Sequence, residues 1–173
     1  MEEYRKSVER LAQQKMDIEF DNEGTQHAAI VLQSLFDTAE KNVKMFSGTL
    51  NSDVSNDTAF LKSFNKYIES RRELKIILER IPDKVDQSHA LKRVLELENN
   101  PNFNVYIKIA DQGFIDLLKS RFQSGNPYHF TISDSRAFRV EIDAHKYKAI
   151  CNFNNEKIAS KLEQVFDSYF DRK

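Results

Sequence analysis

With 173 residues, 40% hydrophobic and 31% charged, the chain has the size and composition of one globular domain able to fold without disulfides or metal. A net charge of −1 excludes a global pull towards nucleic acid or anionic lipid, so any such binding needs a local patch. The lone Cys151 cannot form an internal disulfide, and no Cys/His cluster has metal-ligand spacing. The opening Met1-Glu2-Glu3-Tyr4-Arg5-Lys6 lacks an apolar signal core, and no apolar run is long enough to span a membrane. These features predict a cytoplasmic protein with no cofactor.

Residues 2–17 read as an amphipathic helix with Tyr4, Val8, Leu11, Ala12 and Met16 on one stripe. A polar break follows, from Ile18 to Gly24, and sets residues 1–24 apart from an α/β domain over 25–173. Thr25 is the expected cap of a helix running to about Asn42, with Ala28, Leu32, Leu35, Phe36 and Ala39 on its face. Strand and helix patterns then alternate. Val43–Gly48, Leu74–Ile81 and Phe103–Ala110 are apolar enough for strands buried on both faces. Helices at 57–72, about 88–97 and 113–122 separate them, which implies parallel strands joined by right-handed crossovers.

Beyond Ser124-Gly125-Asn126-Pro127 the pattern predicts a meander of strands at 128–134, 137–143 and 146–153, then a helix at 156–170. The predicted fold class is α/β: a mixed, largely parallel sheet of about six strands with helices on both faces and a C-terminal antiparallel meander. A three-residue loop at Asp134-Ser135-Arg136 pairs Phe130 with Val140 and Ile132 with Phe138. It also sets Thr131 across from Arg139, and His129 across from Glu141. In the second hairpin, pairing Val140 with Ala149 and Phe138 with Cys151 places Lys148 opposite Glu141. The result is a polar row, His129–Glu141–Lys148, with Arg139 alongside. It reads either as a solvated face of paired charges or as a cleft for an anion. His27, His89 and His145 fall at helix starts or in a turn and read as surface residues. No nucleophile elbow and no glycine-rich phosphate loop is present.

The stretch Tyr128-His129-Phe130-Thr131-Ile132-Ser133-Asp134, with its following hairpin and closing helix, resembles one half of the phospholipase D superfamily over about residues 25–170. That family's motif is H-x-K-x-x-x-x-D. With Asp134 on the motif's Asp, His129 stands where Lys belongs and Pro127 where the catalytic His belongs. A slipped alignment that makes His129 the catalytic His puts Thr131 on Lys and Arg136 on Asp. The resemblance implies a phosphate-handling scaffold whose two half-sites meet face to face, and a worn motif that supplies no nucleophile at Pro127.

Three functions follow from this pattern. The first is a catalytically inactive phospholipase D-like binding or regulatory module, recognising a partner protein or a phosphate-bearing ligand through His129, Thr131, Asp134, Arg139, Glu141 and Lys148. The second is a phosphodiesterase or nuclease acting as a homodimer through His129. The third is a protein interaction domain without a ligand site. A homodimer or a related protein partner is expected, because the helix at 2–17 carries an apolar stripe that something must cover. Nucleic acid could bind only through a local patch.

Overall fold

The computed structural model of the protein describes residues 1–172. Its helices are α1 (Glu2–Gln13), α2 (Thr25–Thr38), α3 (Thr58–Glu69), α4 (His89–Leu97), α5 (Gln112–Phe122) and α6 (Glu156–Phe170). Its strands are β1 (Phe20–Asn22), β2 (Asn42–Ser47), β3 (Glu73–Leu78), β4 (Val105–Ile109), β5 (His129–Ser133), β6 (Ala137–Asp143) and β7 (Lys148–Asn152). All seven strands form one sheet in the order β1-β7-β6-β5-β2-β3-β4. Helices cover both faces, α1 to α4 on one and α5 with α6 on the other.

The three early strands are mutually parallel, as the crossover lengths require. The other four pairings are antiparallel, so the sheet is mixed but mostly antiparallel rather than largely parallel. The change has two sources. The segment 18–24, expected to be a polar break, contains β1, which pairs with β7. Strand β5 lies at the centre of the sheet, and both of its neighbours, β2 and β6, run opposite to it.

The first helix ends at Gln13, four residues short of the expected stop, because Lys15 takes a left-handed φ of 49° and turns the chain back. Its apolar stripe is covered within the chain. Val8 and Ala12 are buried against α2, Tyr4 stacks on His27, and Arg5 donates to Gln33. Cover from a second copy is therefore not what this stripe requires. Gly24 precedes α2 with φ 89°, a left-handed value that glycine takes without a Cβ penalty, and its N–H donates to the Lys146 carbonyl.

Alternation along the strands decides which residues meet which helix layer. Val43, Met45, Leu74 and Ile76 face α2 and α3, where Phe36, Phe60, Phe64 and Tyr67 pack edge to face. Phe46, Phe130, Ile132, Phe138 and Val140 face the opposite way, onto Phe114 of α5 and Phe166 of α6. One cation breaks this second layer. Lys44 is buried, and its ammonium donates to Glu163 and Asp167 of α6 at 2.7 Å each. Burial alone would lower its pKa, but the two carboxylates outweigh burial and raise it, so Lys44 stays charged.

Candidate functional site

The first hairpin forms in the expected register: His129 pairs with Glu141, Phe130 with Val140, Thr131 with Arg139 and Ile132 with Phe138. Its tight turn places Asp134 and Ser135 at φ 52° and 55°, and the Arg136 N–H closes it on the Ser133 carbonyl. The side chains of His129, Thr131, Arg139 and Glu141 therefore share the face that lies under α2, at the end of β5 nearest the C-terminus of β2. In open α/β sheets, clefts form where strand direction switches beyond the carboxyl ends of the parallel strands, and β2 is such a strand.

A cavity of about 210 Å3 occupies this place. Ala28 and Leu32 of α2, Met45 of β2 and Phe60 of α3 supply its apolar wall. The end of β2 supplies the Ser47 hydroxyl, and the loop after it the hydroxyl and amide groups of Thr49, Asn51 and Ser52. That loop is fastened over the cavity from outside: Ser88 donates to the Leu50 carbonyl, and Asn56 bonds Gln87 and His89.

The polar wall is a chain of alternating charge. His129 lies between two carboxylates, with Nδ1 3.3 Å from Glu141 Oε1 and Nε2 3.3 Å from Glu79 Oε1. Burial would lower the imidazole pKa, but the two carboxylates outweigh it and push the value up to about 9. At neutral pH the ring is an imidazolium donating from both nitrogens. The hydrogen bond from His129 holds Glu79 below the usual carboxylate range. Burial pushes Glu141 up, and His129 with Arg139 more than reverses it. The chain continues through buried Arg139, whose Nη2 donates to Glu141 Oε2 at 3.1 Å and to the Tyr147 carbonyl at 3.2 Å. Its Nε donates to Asn22 Oδ1 at 3.1 Å, and Asn22 Nδ2 donates to the same Tyr147 carbonyl at 2.7 Å.

Gly48 makes the close approach of His129 to β2 feasible. A Cβ there would meet His129 Cε1 at 3.3 Å, tighter than ordinary van der Waals contact. Phe46 packs against the ring at 5.3 Å between centroids.

Two of the six expected site residues lie elsewhere. Asp134 sits at the far end of β5, where its carboxylate accepts from the backbone N–H groups of Glu40, Lys41 and Asn42 at 2.8, 2.8 and 3.1 Å. It ties the entry of β2 to the hairpin and does not line the cavity. Lys148 does not oppose Glu141. A bulge between Glu141 and Asp143 shifts the second hairpin by one residue, pairing Lys148 with Asp143, Ala149 with Glu141 and Cys151 with Arg139. The shift puts small, fully buried Ala149 and Cys151 under α1 and α2, and keeps Ile150 beside Val140 on the α6 side. The anticipated row His129–Glu141–Lys148 thus ends at Glu141 and turns to Arg139.

Glu79, Gly48, Asn22 and Tyr147 are not among the residues that the sequence pattern singles out. Glu79 and Gly48 carry the only available signal: each directly follows a buried parallel strand, where cleft residues collect. Nothing in the local sequence marks Asn22, which depends on a three-residue strand.

The arrangement restricts the available chemistry. An imidazolium with both N–H groups donated has no lone pair for attack or proton abstraction. Burial pushes the Cys151 thiol up to about 12, so it is no thiolate. Among the described residues no three His, Cys, Asp or Glu side chains converge as a metal site, and no helix is long and apolar enough to cross a membrane.

No protein-family model matches the sequence, and a search of curated proteins found no match. Solved structures do resemble the fold. TrmBL2, an archaeal chromatin protein with a novel mode of DNA binding, matches 99% of this chain with a TM-score of 0.58 and 8% identity. The chain spans only 58% of TrmBL2. NucT from Helicobacter pylori, a phospholipase D-like nuclease, matches over 90% of this chain and 97% of its own, with a TM-score of 0.58 and 12% identity. Phosphatidylserine synthase from Haemophilus influenzae, of the phospholipase D superfamily, matches over 85% of this chain and 37% of its own, with a TM-score of 0.52 and 11% identity. The fold is phospholipase D-like.

Proposed function

We propose that this chain is a catalytically inactive phospholipase D-like module that binds or regulates, recognising a partner protein or a phosphate-bearing ligand at the cavity beside His129. The observation that carries the reading is the clamp on His129, whose two ring nitrogens are both engaged by carboxylates. Attack on phosphorus requires a free imidazole lone pair, and the position two residues upstream, where the resemblance seeks a nucleophile, is Pro127. The cavity remains, with the hydroxyl groups of Thr49 and Thr131 beside its charged wall. The Arg139 guanidinium and the imidazolium are its cationic elements, and a phosphate group would compete with Glu79 and Glu141 for them.

TrmBL2, a DNA-binding protein, and NucT, a nuclease, make nucleic acid a further candidate for the bound species. A duplex cannot enter a cavity of about 210 Å3, so it would contact the module elsewhere. A homodimer or a related partner is part of the proposal too, and it would use a surface other than the stripe of α1.

The test is hydrolysis of bis(p-nitrophenyl) phosphate by the full chain, with inorganic phosphate titrated in parallel. We expect no turnover above a heat-treated control, and phosphate binding that weakens in His129→Gln. Turnover abolished by His129→Ala would establish the competing reading, a homodimeric phosphodiesterase or nuclease in which the clamp opens to free one ring nitrogen.

A further inference from the structure

On the sheet face opposite His129, α5 and α6 form a wedge. At one end they are locked together: Phe114 stacks on Tyr169 at 4.6 Å, and the Tyr169 hydroxyl accepts from the Asp111 N–H and donates to the Ile109 carbonyl. Towards the other end they part, leaving a groove of about 560 Å3 floored by Phe130 and Leu118. Leu117 and Phe122 of α5 form one wall, and Ile158, Leu162 and Val165 of α6 the other.

Charge on this groove is one-sided. Arg121 and Lys161 stand on opposite walls, no Asp or Glu lines it, and neither cation makes an ion pair among the described residues. In a chain with 27 acidic against 26 basic residues, an apolar groove bordered by cations alone selects for an anionic ligand with an apolar body.

Charge decides what the groove takes: one cation on each wall and no carboxylate suit an anionic headgroup above an apolar chain. The observed volume falls within the range of small-ligand sites. We propose that this groove binds a medium-chain carboxylic acid, its chain between α5 and α6 and its carboxylate between Arg121 and Lys161. The site is separate from the cavity at His129 and does not depend on that cavity's role.

The test uses the full chain labelled with 15N and titrated with decanoate or decanol below micellar concentration. Decanoate is expected to shift the amides of 117–122 and 158–168, binding about five- to tenfold more tightly than decanol. The double variant Arg121→Gln, Lys161→Gln alters two exposed side chains, so it keeps the fold and should bring decanoate down to the affinity of decanol. Val165→Glu should weaken both ligands. Equal affinity for acid and alcohol in the native chain, or shifts confined to other segments, would overturn the proposal. So would a native dimer that Val165→Glu dissociates, since the groove would then be covered by a second copy.

Discussion

Replacing His129 by Gln removes the charge at the centre of the Glu79–His129–Glu141 chain while keeping a side chain able to hydrogen-bond. The native pKa of about 9, against an ordinary value near 6.5, sets the size of the effect. A group whose folded pKa is raised adds stability that is fully present below its unfolded pKa and is lost as pH rises through the folded one. Integrating over that window gives 3 kcal/mol or so, and screening of Glu79, whose side chain is 34% exposed, reduces it to about 2–3 kcal/mol. Urea unfolding followed by circular dichroism at pH 6, 7.5 and 9 reads this directly. The native protein should lose about 2–3 kcal/mol between pH 6 and pH 9, while His129→Gln stays nearly flat. Cys151 destabilises the fold at high pH as well, since its raised folded pKa lets the unfolded thiol ionise first. Both proteins share that contribution, so it cancels in their difference. Parallel curves for the two proteins would refute the claim that His129 is held as an imidazolium.

Gly48→Ala introduces a Cβ at 3.3 Å from the ring, so it should loosen the clamp and lower the His129 pKa, read from imidazole NMR shifts against pH. Asp134→Ala removes an acceptor from three backbone N–H groups and should cost about 2–3 kcal/mol in urea unfolding, with the His129 titration unchanged. Deleting residues 1–16 uncovers α2 and removes the burial of Val8 and Ala12; it should cost about 2–4 kcal/mol, with no change of oligomeric state by light scattering. A deletion that leaves stability untouched would contradict the packing of α1 on α2.

The parts of this fold visible in the sequence are those fixed by short-range periodicity. Buried runs such as Leu74-Lys75-Ile76-Ile77-Leu78 mark the central strands. The strict alternation of Phe130, Ile132, Phe138 and Val140 leaves one register for the first hairpin, so the His129–Glu141 and Thr131–Arg139 pairs follow from the amino-acid order alone. The second hairpin is ambiguous because Ala149, Ile150 and Cys151 are all apolar. Alternation cannot choose among them, and a bulge at Ile142 moves the register by one residue. Contacts across long separations are not legible. Asn22 lies 117 residues from the Arg139 it binds, and Glu79 lies 50 residues from His129. Asp134 is visible as a residue but not in its role, because a carboxylate in a turn looks the same whether it holds a ligand or three backbone N–H groups.

Each charge along the cavity wall meets an opposite one. Catalysis by a nucleophilic imidazole needs one nitrogen oriented by a partner and the other left open to the substrate. Here the second nitrogen meets Glu79, and the next cation along, Arg139, is held by Glu141, Asn22 and the Tyr147 carbonyl. Two carboxylates and two cations alternate along the wall, so each charge is compensated where it is buried, as burial of charge requires. Freeing Nε2 would leave the Glu79 carboxylate, which is 34% exposed, without its partner, and the pH dependence of stability measures how strongly the two carboxylates together hold the imidazolium.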